Sequence, residues 1–253
     1  SVSQTQKDKI TAETLEKLVN AEKKIADIEA VNNVIAKINA IGKVAYTDGC
    51  KAKIDAAKDA YNALSAELKQ NVPAEKITAM NTADETYNTV DGVVNIINAI
   101  GDVEYTLDSK AKIDAALDAF EELSQELQAI VPTAKVTAMN TANTTYNTIE
   151  ELVTTIDGIG EVTYTLNSKE KIDNAQLKFD QFQSTFGAST TFNVVNKNVG
   201  EENLQKAKVQ YSEAAIRDVN SKVLAGASED EIKAEVKTIR DTIDAYFANN
   251  DYS

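Results

Sequence analysis

The sequence predicts an all-α protein, an elongated rod of three tandem three-helix bundles joined by shared, spectrin-like continuous helices. Three observations predict it. A motif recurs every 59 residues, as Ala-Ile-Gly at 40–42 and 99–101 and Gly-Ile-Gly at 158–160, so that Gly42, Gly101 and Gly160 are evenly spaced. Apolar residues recur at helical spacing within each copy, and no window alternates in the manner of a strand. The stretch from Thr133 to Asp157, which crosses from one copy into the next, contains neither Gly nor Pro.

Residues 1–10 are expected to form a flexible tail. A long opening helix follows, with Leu15, Leu18, Ile25, Ile28, Val31, Ile35, Ile38 and Ile41 as its apolar positions. Gly42, Gly101 and Gly160 supply left-handed C-terminal positions for the first helix of each copy. Tyr46-Thr47, Tyr105-Thr106 and Tyr164-Thr165 come next. The threonine is read as the N-cap of the second helix, and Asp108 is favourable in its first turn. Lys-x-Lys-Ile-Asp then recurs at 51–55, 110–114 and 169–173, placing Ile54, Ile113 and Ile172 on the buried face. In the middle copy that helix is expected to bury Ile113, Ala116, Leu117, Phe120, Leu123 and Leu127. Pro132 then stops it and starts the third helix.

The third helix runs on through Val136, Met139, Tyr146, Ile149, Val153 and Ile156, with Asn143 at one seam position. At ~25 residues it spans roughly 37 Å and serves as the last helix of one bundle and the first of the next. The preceding boundary, from Ile77 to Ile100, has the same pattern but carries Gly92, a residue that weakens a helix interior. These boundaries divide the chain into a first bundle at 11–89, a second at 90–148 and a divergent third at 149–253. The third copy lacks the proline and has a Thr- and Asn-rich stretch between Gly187 and Gly200, where ligand contact is expected. Its closing helix begins at the capping box Ser228-x-x-Glu231 and carries Ile232, Val236, Ile239, Ile243 and Phe247. A 59-residue bundle is marginal alone, and sharing helices couples neighbours.

The run AIGDVEYTLDSKAKIDAALDAFEELSQELQAIV (99–131) resembles the three-helix, FIVAR-like repeats of large Gram-positive surface proteins, and similar bundles occur in S-layer proteins. The resemblance covers 31–185. The family's usual form carries Gln-Lys where this chain has Glu126-Leu127-Gln128, so the match is to the pattern. It implies an extracellular location at the bacterial cell surface or wall and a role as spacer, assembly segment or binding module. It transfers no catalytic residues. Arg217 and Arg240 are the only arginines, a bias that fits a low-GC bacterium.

Chemistry is narrowed further by what the chain lacks. It has no His, and Cys50 is its only cysteine, which removes His-dependent nucleophiles, a His or Cys zinc site and any intrachain disulfide. Forty acidic against twenty-six basic residues give a net charge of −14, the wrong sign for nucleic acid or anionic lipid. No apolar run approaches the ~20 residues of a membrane span. The opening Ser1–Lys7 has no signal-peptide core, as expected of a cytosolic protein or of a mature or excised segment. Catalytic, cofactor and metal residues are therefore all read as none. The partners left are cell-wall polymer, a host protein or copies of the chain itself.

Three features have residue types that a site could use. Asp55/Asp59 and Asp114/Asp118 are carboxylate pairs one turn apart, but the third copy has Leu177 in place of the second acid, and a solvated charged face is favoured. Asp102, Glu104 and Asp108 gather acid at one loop without the spacing or oxygen number of a calcium site. Tyr46, Tyr105 and Tyr164 have the chemistry to stack on sugars, yet recurrence beside Val44, Val103 and Val162 favours packing over the glycine turn.

Overall fold

A computed structural model describes residues 11–186 and 201–248. Among the described residues every regular element is a helix. In chain order they are α1 (Ala12–Ile41), α2 (Asp48–Asn62), α3 (Ala66–Lys69), α4 (Ala74–Asn98) and α5 (Leu107–Glu121). After these come α6 (Gln125–Gln128), α7 (Thr133–Asp157), α8 (Leu166–Phe186), α9 (Glu201–Leu224) and α10 (Glu229–Phe247). The chain divides into two compact units. One holds the residues up to Asn98 together with Ala116–Val136, and the other holds Ala99–Ala115 with the residues from Thr137 onward. The tail at 1–10 and the Gly187–Gly200 stretch lie outside the described residues.

In the first unit, Thr11 caps α1 by accepting the Thr14 N–H at 3.3 Å. The second half of α1 buries Val31, Val34, Ile38 and Ile41 against Ile54 and Ala57 of α2 and Met80, Ala83 and Tyr87 of α4. Fully burying each large aliphatic side chain contributes about 1.5–3 kcal/mol. The first half of α1 departs from expectation. Leu15, Leu18, Ile25 and Ile28 continue the apolar pattern but remain 47–60% exposed, because no described element packs over these turns.

The second helix also ends sooner than its periodicity suggests. Spacing carries it through Leu123 and Leu127 to the proline, whereas α5 stops at Glu121 and a one-turn α6 restarts after Ser124. The Ser124 hydroxyl accepts the Leu127 N–H at 3.4 Å, and Gln128 donates its side-chain amide to the Phe120 carbonyl at 3.1 Å. Serine is better satisfied as a cap than inside a helix, so the chain breaks there. Ser65 does the same before α3, accepting the Leu68 N–H at 3.2 Å.

Both helices that cross copy boundaries are unbroken, each 25 residues long. Pro73 and Pro132 stand just ahead of them, their carbonyls accepting the N–H of Ile77 and Val136. In the second unit, Ile149, Leu152 and Ile156 of α7 meet Ile172, Ala175, Phe179 and Phe182 of α8 and Leu204, Ala207 and Tyr211 of α9. Tyr246 of α10 joins this core. The Ser228–Glu231 capping box of α10 is present as the sequence predicts. Of the apolar residues expected on α10 only Ile239 is buried, while Val236 stays 40% exposed. No described helix is long and apolar enough to cross a membrane.

The same substitution has opposite effects at two glycines of the first unit. Gly42 sits at φ 63°, ψ −143°, which an L side chain adopts only under strain. Gly92 lies inside α4 with open space where a Cβ would go. Gly42→Ala is expected to lower unfolding free energy by about 1–3 kcal/mol, and Gly92→Ala to raise it by about 0.5–1 kcal/mol. Urea denaturation of the two variants checks both signs.

Candidate functional site

Three equivalent helix junctions hold most of the residues singled out from the sequence. Gly42, Gly101 and Gly160 all have positive φ, between 63° and 65°. Thr47, Thr106 and Thr165 then cap the next helix, their hydroxyls accepting the N–H of Cys50 (3.2 Å), Ser109 (3.1 Å) and Ser168 (3.3 Å). Ser109 and Ser168 are buried and each hydroxyl accepts a loop N–H at 3.2 Å, from Glu104 and Thr163 respectively. Cys50 fills that place in the first copy and is a buried free thiol. Ile54, Ile113 and Ile172 are fully buried.

The junction tyrosines pack on tyrosines of the helix seam. Tyr46 stacks on Tyr87 at 5.1 Å between centroids, Tyr105 meets Tyr146 at 5.5 Å, and Tyr164 meets Tyr211 at 5.4 Å. A lysine lies over the seam ring in two copies, with Lys51 Nζ 5.9 Å from the Tyr87 centroid and Lys110 Nζ 6.0 Å from that of Tyr146. Those lysines also pair with Asp55 and Asp114, the first members of the two carboxylate pairs. Tyr46 donates its hydroxyl to Asp91 Oδ1 at 2.8 Å. Partial burial, with the Asp91 carboxylate adding to it, pushes the Tyr46 phenol up to about 12.

At the acidic loop Asp108 pairs with Lys112 at 2.7 Å. Among the described residues no group of three or more His, Cys, Asp or Glu is arranged to hold a metal ion.

The third copy is built differently. Lys169 pairs with Asp173 at 2.5 Å, but the ring beneath its Nζ, at 5.8 Å, is Tyr246 of α10. Tyr246 donates its hydroxyl to Asp173 Oδ1 at 3.1 Å, and its carbonyl accepts from Lys208 Nζ at 3.2 Å. Lys208 is 4% exposed. Burial pulls its ammonium below the ordinary lysine range, opposed by the carboxylates of Asp180, Asp173 and Glu201. Burial first, and then Asp173, pushes the Tyr246 phenol up.

Beside this cluster a cavity of about 780 Å³ opens between α8, α9 and α10. Gln176, Asp180, Gln205 and Asp241 line it with Lys208 and Tyr246. The Oε1 atoms of Gln176 and Gln205 are buried without a hydrogen-bond donor. The lining therefore combines two free acceptors, one buried ammonium and an excess of carboxylate. It suits a neutral ligand rich in hydroxyls and disfavours an anion.

Sequence reasoning missed Lys208 and Tyr246. Aligning Tyr211 with Tyr146 and Tyr87 puts Lys208 at the seam position of Asn143 and Asp84, which was the available signal. The chain matches no protein family, no curated protein and no solved structure.

Tyr46 gives a pH signature. Its folded pKa lies above the unfolded value, so its contribution to stability is complete below pH 10 and is lost as pH rises from 10 towards about 12. Ultraviolet titration is expected to show Tyr46 among several late-ionising phenols, since burial also pushes up Tyr87, Tyr146, Tyr164, Tyr211 and Tyr246. Asp91→Asn should bring the Tyr46 phenol back towards 10, though not fully, because burial is the larger cause. A titration unchanged by Asp91→Asn refutes the assignment.

Proposed function

We propose that this chain is a non-catalytic spacer or assembly segment of a bacterial cell-surface protein, made of three tandem three-helix bundles that share α4 and α7. The resemblance of 99–131 to repeats of Gram-positive surface proteins supports the setting, extracellular and at the bacterial cell surface or cell wall. The observation that carries the reading is the pair of unbroken 25-residue helices, with buried residues from Met80 to Ile97 on one and from Met139 to Ile156 on the other. A helix apolar along its whole length needs partners along its whole length, and sequential bundles supply them. Three such bundles give a rod on the order of 80–100 Å. Small-angle scattering is expected to return a maximum dimension in that range. A radius of gyration near ~18 Å, that of a compact chain of this size, overturns the rod.

A second reading is favoured by the cavity of the third copy. In it the divergent copy is a binding module, and cell-wall glycan suits the lining better than a host protein, since sugar hydroxyls both donate and accept. Gln205→Ala and Asp180→Ala are each expected to lower retention on purified cell-wall polymer severalfold, with Glu16→Ala, remote in sequence and exposed, as control. Retention that is absent in the unaltered chain, or equal in all variants, removes this reading.

A further inference from the structure

The cavity between α8, α9 and α10 is walled largely by groups that accept hydrogen bonds. On α8, Gln176 donates its amide nitrogen to Asp180 Oδ1 at 2.6 Å, which leaves its Oε1 as an acceptor, and that atom is buried without a donor. On α9, Gln205 brings a second buried Oε1 in the same state. Its side chain makes no hydrogen bond to any described residue, so the amide is free to turn that oxygen onto a donor in the cavity. On α10, the Thr242 hydroxyl donates to the Thr238 carbonyl at 2.9 Å, and the Thr238 hydroxyl donates to the Ala234 carbonyl at 3.1 Å. Both hydroxyls therefore offer the cavity only lone pairs. An acceptor buried without a donor is destabilising, and a ligand that donates to it relieves that.

The charges have the same bias. Lys169 is paired with Asp173 at 2.5 Å, and Asp241 is paired with Lys237 at 2.6 Å. Lys208 Nζ donates to the Tyr246 carbonyl and lies 5.6 Å from the centroid of the Tyr246 ring. Asp180 and Glu201 both act on Lys208, and neither has a cation within ion-pair distance among the described residues. One lysine thus stands against two carboxylates, and the wall is one positive charge short of neutral. Hydroxyls alone answer such a wall incompletely, because each brings acceptors with its single donor. A primary ammonium brings three donors, no acceptor and the missing charge. Its hydrogen bonds to carboxylates are also roughly twice as strong as neutral ones.

We propose that the cavity of the third copy binds the free amine of an amino sugar, with Asp180 and Glu201 supplying the opposite charge and Gln205 a neutral acceptor. A hydroxylated body suits the rest of the wall better than an alkyl chain does, since Leu177 and Ala245 are its only aliphatic side chains. The volume, about 780 Å³, lies within the roughly 300–1,000 Å³ usual for small-ligand sites. The inference rests on the binding-module reading above and specifies the group that is recognised.

Nuclear magnetic resonance titration of the full chain with glucosamine, glucose, N-acetylglucosamine and cadaverine tests it. Glucosamine is expected to shift resonances of α8, α9 and α10, and to bind about tenfold more tightly than either neutral sugar. Cadaverine, an amine without hydroxyls, is expected to bind more weakly than glucosamine. Gln205→Leu removes an acceptor without changing charge, and Asp180→Asn removes a charge. Each should weaken glucosamine binding severalfold. Glu170→Gln removes an exposed carboxylate of α8 that does not line the cavity, and it should leave binding unchanged. That control separates the cavity from the diffuse attraction of a chain with net charge −14. Equal binding of the three sugars overturns the proposal and leaves the binding-module reading standing. Binding by none of them overturns it as well, and retention on cell-wall polymer then decides the binding-module reading separately. Cadaverine bound as tightly as glucosamine overturns it, as does a loss with Glu170→Gln equal to that with Asp180→Asn.

Discussion

Where each second helix begins fixes what its buried face can be. A capping threonine stands seven residues, about two turns, ahead of the isoleucine that reaches zero exposure: Thr47 before Ile54, Thr106 before Ile113 and Thr165 before Ile172. Moving the cap by one residue rotates that face by about 100° and takes the isoleucine out of the core. The junction therefore has to be held tightly. A glycine at positive φ releases the chain from the preceding helix, a buried serine accepts a loop N–H in two copies, and a tyrosine packs on the seam. None of these contacts is large, since a capping or loop hydrogen bond contributes about 1 kcal/mol. Their effect is on register, and register determines whether several kcal/mol of aliphatic burial is gained.

How much of this was legible in the sequence depended on whether the signal was local. Caps and turns were, because Thr47, Thr106, Gly42 and Ser228 act on backbone within a few residues of themselves. The bounds of α7 were legible too, from the run without Gly or Pro between Thr133 and Asp157. The break after Glu121 was not. Leu123 and Leu127 sit at helical spacing, and periodicity does not register that Ser124 gains more as a cap than as an interior residue. Nor does periodicity say whether a face has a partner, so the apolar run from Leu15 to Ile41 reads as one buried helix when only its second half is covered.

The tertiary context of single charged residues was the least legible part. A lone lysine such as Lys208 reads as solvent-facing by composition, and only the alignment of Tyr211 with Tyr87 and Tyr146 places it in the seam. Tyr246 was hidden for a related reason. It stands beside Phe247, and helical spacing admits both, since Phe247 is four residues after Ile243 while Tyr246 is three after it and seven after Ile239. Tyr246 is the residue buried there, and Phe247 only partly so.

The seam position shows how the third copy develops a polar cavity. In the first copy Asp84 occupies it and pairs with Lys58 of α2, a bridge that reaches the edge of the core and keeps one end in water. In the third copy Lys208 occupies it, and its nearest acceptor is the carbonyl of Tyr246. That carbonyl belongs to the last turn of α10, where helix carbonyls lack an internal donor and the helix dipole favours a cation. The charge at the seam and the added helix thus satisfy one another, and neither residue has an equivalent use in the first copy. Tyr246 also ties the last turn of α10 to Asp173 of α8, and Gln176 and Asp180, further along α8, line the polar space beside it. A position that serves structure in one copy has become the wall of a ligand-sized cavity in another through the arrival of one helix.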